Sequence, residues 1–363
     1  MRKLTGKSVI AFMIALVLVF VFSRPGQSVS IGSNLIVAMQ PVGQVKIKRP
    51  AWKGYKPALI GTFVNSNDRL LLSSNASAQV LCRNRKVWKV PNGRESIVHQ
   101  GCGRTQPERD PENPDTVDTR SINKSGVPYI IAPRKTSILD NQPTLRWNAV
   151  PGVSGYQVEV VGAGLYWKTS TRETSIKYSG ETPLQPGSHY WLVVKAESGE
   201  SSLSEGVFGF TVLSESEEAE IFLARDDLQQ KQLSEMAEVI ALADLYQSNR
   251  LKGAAINQLE AAISDQIESV AIYQLLGKVY QQVGLNRLAK DRYLQGLELA
   301  EQAEDIESQA AIQGSLALIN VILGEPESAQ QQLETSQRLY QELGDTEKAR
   351  QIEEQFRNIS PVS

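Results

Sequence analysis

Ala271-Ile272-Tyr273-Gln274-Leu275-Leu276-Gly277-Lys278-Val279-Tyr280, continued through Gly284 to Ala289, Tyr293 and Gly296, is the stretch that decides the fold. Its apolar and small residues recur at helical spacing on both sides of Gly284, which predicts two helices joined by a turn. The same positions occur 34 residues earlier as Val239, Leu242, Ala243, Tyr246, Ala255, Leu259 and Ala262. After an insertion of six residues they occur again as Gln313, Leu316, Ala317, Asn320, Ala329, Leu333 and Ser336. One helix pair cannot bury its apolar face alone, whereas stacked pairs can, so a repeat of this length predicts a helical solenoid.

The pattern resembles the tetratricopeptide family: Tyr273 stands at that family's tryptophan position, followed by Leu276-Gly277, Tyr280, Gly284, Ala289 and Tyr293. Gly277 and Ala289 are small enough to let paired helices cross closely. Gln313 and Asn320 depart from the family's aromatic or aliphatic choices, which predicts a degenerate third copy acting as a cap. A further half-repeat with Gly344 and Ala349 would cover the exposed end. The array and its flanking helices span 214–357, opened by one helix over Ser216 to Leu233. The resemblance implies a groove lined by first-helix residues, here Gln247, Asn249, Gln274, Lys278, Gln281 and Gln282, that takes a protein or an extended peptide. This half holds 26 Asp/Glu against 12 Lys/Arg, so its potential favours a basic partner.

Upstream, over 129–213, the period falls to two. Short apolar runs are separated by Pro/Gly turns, as in a β-sandwich. Pro143-Thr144-Leu145-Arg146-Trp147, Tyr156-Gln157-Val158 and Leu184-Gln185-Pro186-Gly187-Ser188-His189-Tyr190 resemble the fibronectin type III pattern. That resemblance implies that Trp147 is core and that the Tyr190 hydroxyl satisfies a nearby backbone group. His189 reads as a strand residue, since no second His or carboxylate cluster accompanies it.

Residues 39–104 read as a small all-β module carrying twelve Lys/Arg against two Asp/Glu. The order Gly43-Gln44-Val45, Gly61, Asn67-Asp68-Arg69-Leu70 and Ser77-Ala78-Gln79-Val80 resembles the β domain of FecR-type proteins of bacterial envelopes. Cys82 and Cys102 are expected to form a disulfide in an oxidising compartment. The competing reading makes Cys102 a nucleophile with His99 as its base, but no third orienting group is evident. The basic residues Lys46, Lys48, Arg49, Lys53, Arg83, Arg85, Lys86 and Lys89 face an anionic lipid or envelope polymer, or dock onto the acidic half of the same chain. Nucleic acid is not expected for an exported chain. Residues 105–128, rich in Pro and polar side chains, read as a linker.

At the start, Arg2, Lys3 and Lys7 precede an apolar run from Val9 to Phe22. Residues 1–28 therefore read as a secretory signal or an uncleaved N-terminal membrane anchor. Export to the periplasm or cell envelope follows, and the Gln-rich texture of the repeats resembles cyanobacterial chains. Two His and two Cys leave little material for a metal site, and neither a phosphate loop nor a nucleophile elbow occurs. The run Glu301, Glu304, Asp305 and Glu307 reads as a solvated helix end rather than a catalytic pair. No cofactor and no enzymatic activity are expected. The expected function is an exported adaptor presenting a tetratricopeptide groove. The alternatives are an anchoring module that binds an anionic polymer or lipid, and a FecR-like signalling component.

Overall fold

The computed structural model describes residues 29, 32–41, 44–104 and 126–359. The expected export segment and most of the expected linker lie outside the described residues. The N-terminal module has two four-stranded sheets. One has the order β4-β1-β6-β7, from β1 (Asn34–Gln40), β4 (Phe63–Val64), β6 (Ser77–Leu81) and β7 (Val87–Val90). The other has the order β3-β2-β5-β8, from β2 (Val45–Lys48), β3 (Lys56–Pro57), β5 (Arg69–Leu72) and β8 (Glu95–Ile97). A single turn, α1 (His99–Cys102), carries Cys102 to Cys82, and the two are joined with their Cα atoms 5.2 Å apart.

The middle module packs two sheets around Trp147, Val158, Tyr190, Leu192 and Phe210. The five-stranded sheet runs β10-β16-β15-β12-β13, from β10 (Thr136–Ile138), β12 (Tyr156–Gly162), β13 (Leu165–Thr171), β15 (His189–Ala196) and β16 (Phe208–Val212). The three-stranded sheet is β14-β11-β9, from β9 (Ile130–Ala132), β11 (Thr144–Trp147) and β14 (Ser175–Lys177). Trp147 is buried, and the Tyr190 hydroxyl accepts a hydrogen bond from the Gln185 backbone N–H at 2.8 Å. Such a bond lets a buried tyrosine keep its polar end satisfied.

The C-terminal half is helical. It comprises α2 (Glu215–Gln229), α3 (Glu235–Ser248), α4 (Lys252–Ser264), α5 (Val270–Gln282), α6 (Asn286–Gln302), α7 (Ile306–Leu323), α8 (Pro326–Leu343) and α9 (Thr346–Ile359). The helix expected over Ser216 to Leu233 ends sooner. Gln232 takes φ 51° and Ser234 leads into α3, so the chain turns where an uninterrupted helix was expected. Ser214 opens α2 with a capping box closed by Glu217, which satisfies backbone donors at its start.

Helices pair as α3 with α4, α5 with α6 and α7 with α8, with α9 packed on the last pair, which is a tetratricopeptide-like solenoid. Of the 21 repeating positions read from the sequence, all are buried except the half-buried Tyr246 and Gln313. A Cβ on Gly277 would stand 2.8 Å from the Tyr293 ring, so a larger residue there would force the two helices apart. In the third pair the side-chain oxygens of Gln313 and Asn320 are buried without a hydrogen-bond partner, while polar bonds are made beside them. Asn320 donates to Gln332 at 2.6 Å, and Ser336 donates to the Ala310 carbonyl at 2.7 Å.

Candidate functional site

The first helices of the pairs, α3, α5 and α7, share one face of the array, where a groove was expected. The N-terminal β module lies on it. From Leu35 to Met39 β1 is apolar and buried on both faces, so it lacks the alternation of a half-exposed strand. Leu35 and Val37 join Leu81 in one core with Ile240, Ala241 and Leu245 of α3. Ile36, Met39 and Val80 join a second core that runs on to Ala310 of α7, Tyr340 and Leu343 of α8, and Ala349 of α9. Gly61 is one point of close approach. Its φ is +91°, and a Cβ there would meet Ile240 at 2.8 Å and Ala271 of α5 at 3.0 Å, so glycine is required twice over.

Charge fixes the register. Arg49 follows β2 and donates from Nε and Nη2 to the two oxygens of Glu307 on α7, at 2.9 and 2.8 Å. Its Nη1 donates to Asp68, and Nη2 also reaches the Phe63 carbonyl at 3.0 Å. Burial alone would lower the guanidinium pKa, but the carboxylates of Glu307 and Asp68 outweigh it and hold the pKa above its ordinary value. Asp68 is fully buried, and burial raises its pKa against the pull of Arg49 and of the Asn65 N–H. Such a fork on two carboxylates is the geometry arginine supplies and lysine does not.

Three further contacts border this centre. Arg85 donates to Asp227 of α2 at 2.9 Å, and Lys231 holds the other oxygen of that carboxylate. The Lys53 N–H and ammonium donate to the carbonyls of Leu343 and Gln341, where the α8 dipole is negative. Asp244 of α3 is buried and accepts from the Ser33 N–H at 3.0 Å. Burial raises its pKa to about 6, opposed by the N–H groups of Ser33 and Gly32 and by Lys278 and Arg83.

Of the eight basic residues singled out in the sequence, Arg49, Lys53 and Arg85 thus bind the helical half. Arg83 lies within electrostatic reach of Asp244, and Lys48 is half-buried on β2. Lys46, Lys86 and Lys89 are exposed. Among the expected groove residues, Lys278 is exposed while Gln247, Gln274 and Gln282 are half-buried. Gln274, Lys278 and Gln282 form one stripe along α5 at four-residue spacing. Gln281 instead points between helices and accepts from the Tyr293 hydroxyl at 3.2 Å, and Asn249 donates to the Leu245 carbonyl at the end of α3. Cys102 is bonded to Cys82, which leaves no thiol for the pairing with His99, whose ring Nδ1 lies 3.1 Å from the Ser66 carbonyl. The acidic run on α6 and α7 is more than a solvated end: Asp305 caps α7 through the Ser308 N–H, and Glu307 binds Arg49.

The β-sandwich docks on the turns between paired helices, a contact that sequence reasoning missed. Arg134 is buried, donates to the Val283 carbonyl at 2.6 Å, and stacks 3.5 Å from the Phe208 ring centre. It therefore places a cation at the negative end of α5. The Thr136 hydroxyl accepts from the Gly253 N–H at 2.9 Å, and the Ser137 N–H donates to the Arg250 carbonyl at 2.8 Å.

No family model matches this chain, and no curated protein matches it either. Among solved structures, it is similar to a crystal structure of a Podosopora anserina putative kinesin light chain with nearly identical TPR-like repeats. The two are 22% identical over 39% of this chain and 87% of that one, with a TM-score of 0.27. The chain is a β-sheet region followed by a TPR-like helical array.

Proposed function

We propose that this protein is an exported scaffold for protein association whose repeat array is engaged in cis by its own basic β module. The observation that carries this reading is the bidentate bond from Arg49 to Glu307, 258 residues away, set between two cores that cross from module to helices. The basic segment expected as a partner of the acidic array is thus supplied by the same chain. A protein or extended peptide partner meets the α5 stripe beside the module, where Lys278 is exposed between the half-buried Gln274 and Gln282. Export is supported by the Cys82–Cys102 bond and by the charged and apolar start of the sequence.

The test is a photo-crosslinking amino acid placed at Lys278 or at Leu294, an exposed residue of the second helix α6, in the full chain expressed in its own envelope. An adduct to another protein forms at Lys278 and not at Leu294 if the reading is right. Equal labelling at both, or none, contradicts it.

A second reading assigns the module to an anionic lipid or envelope polymer, and it is favoured by the exposure of Lys46, Lys86 and Lys89 after the other cations are engaged. Vesicles containing phosphatidylglycerol then bind the full chain at low salt, and Lys86→Glu with Lys89→Glu abolishes that binding. Binding insensitive to salt or to these changes counts against it.

A further inference from the structure

Sheet edges expose unpaired backbone, and folded proteins keep them short or covered. Here β3 and β4 are two residues long, β8, β9 and β14 three, and β7 four. β10 is covered, because Thr136 and Ser137 bond to Arg250 in the α3–α4 turn and Thr136 also to Gly253 in the first turn of α4. β13 differs from all of these. It is seven residues long, ends the five-stranded sheet, and among the described residues pairs with β12 alone.

Its neighbourhood is built for contact. In register across the sheet, Tyr166 stands opposite Val161, Val161 opposite Trp191, and Trp191 opposite Gly209. Tyr166 is 61% exposed and Trp191 43%, and Val207, one residue before β16, is 65% exposed. Four of the seven exposed large apolar side chains among the described residues, Tyr166, Trp191, Leu203 and Val207, therefore belong to this one module, and Tyr166 and Trp191 flank Val161 on the outer face of this sheet. Exposed apolar clusters of this kind mark interaction sites. Beside them, Lys168 on β13 and Lys195 on β15 share the single carboxylate of Glu159, at 3.5 and 3.3 Å, which leaves a surplus positive charge at the middle of the edge.

We propose that the free edge of β13 accepts an extended strand of a partner protein, which carries a carboxylate opposite Lys168 and an apolar residue against Tyr166. Strand addition satisfies the open backbone groups, while alternate side chains select the partner. The charge decides against a second copy of this chain. The antiparallel register that pairs all seven residues of β13 with themselves sets Lys168 against its own counterpart, and like charges directly opposite destabilise a pair. The inference rests on the reading of this protein as an interaction scaffold and adds a second docking surface, remote from α5, to it.

The test uses two nine-residue peptides of alternating Thr and Val, one with Glu and one with Lys at the centre, titrated against the full chain and followed by tryptophan fluorescence and amide exchange. The Glu peptide binds at least tenfold more tightly and slows exchange in β13, Lys168→Gln levels the two peptides, and Lys168→Glu reverses their order. The proposal is overturned if neither peptide binds at millimolar concentration or if the order ignores Lys168. It is also overturned if the chain alone dimerises with β13 protected, which would give the edge to a second copy. Any of these outcomes leaves the crosslinking result at Lys278, and with it the scaffold reading, untouched.

Discussion

The two β modules meet the same helical array in different ways. The N-terminal module shares its apolar cores with α3, α7, α8 and α9 and closes around a half-buried Arg49 with two carboxylates. The sandwich keeps a core of its own and meets the array through a small apolar cluster of Leu213 with Ile221 and Leu251, through Tyr129 and Ile131, and through polar bonds at helix turns. The first is held as part of a folding unit, and the second as a docked neighbour. A basic composition therefore need not advertise an external anionic partner, because here much of it is matched within the chain.

The largest expected effect lies at the centre of the first contact. Arg49→Ala leaves Asp68 buried without its cation and should cost about 3 to 5 kcal/mol, read by urea unfolding. A loss under about 1 kcal/mol would place Arg49 with ordinary surface pairs and erase the contrast between the modules. Next comes the Cys82–Cys102 bond. Reducing it should lower stability by roughly 3 kcal/mol and act on the N-terminal module, leaving the amide protection of β12 and β15 unchanged.

Asp244 sharpens the comparison through pH. Its pKa is near 6 in the folded protein and about 3.9 when unfolded. Between those values the folded state holds the extra proton, so this group's stabilisation is full below about pH 4 and is lost as pH rises through 6. The change is on the order of 3 kcal/mol. Asp244→Asn keeps an acceptor for the Ser33 N–H and should flatten that part of the stability profile. An unchanged slope would show that Asp244 does not titrate at the module contact.

The smallest effect belongs to the sandwich. Arg134→Ala removes a charged donor from the Val283 carbonyl and should cost about 2 kcal/mol. It should loosen amide protection at β9 and β10 without moving that of β1. Equal loosening of both would make the modules one unit and break the comparison.

Much of the architecture was legible in the amino-acid order. The repeat is visible because Gly277, Ala289 and Tyr293 serve local helix crossing, and local packing leaves a period in the sequence. Tyr190 was legible for the same reason, since its bond to Gln185 spans five residues. β1 was not, because a strand buried on both faces loses its alternation. The engagement of the first-helix face was foreshadowed only by opposite charge in the two halves. Its residues are too far apart in sequence for any spacing rule to join them, and Gly61 gains its meaning only when Ile240 and Ala271 are brought against it. Arg134 was equally silent, as its partners are backbone carbonyls that any sequence supplies.

The central claim is that the β module and the repeats are held together in cis through Arg49 and Glu307, and a double-mutant cycle tests it most directly. Arg49→Met, Glu307→Gln and the pair are compared by urea unfolding of the full chain. An interaction energy of about 2 kcal/mol or more between the two sites is predicted, and additivity within about 0.5 kcal/mol would contradict it.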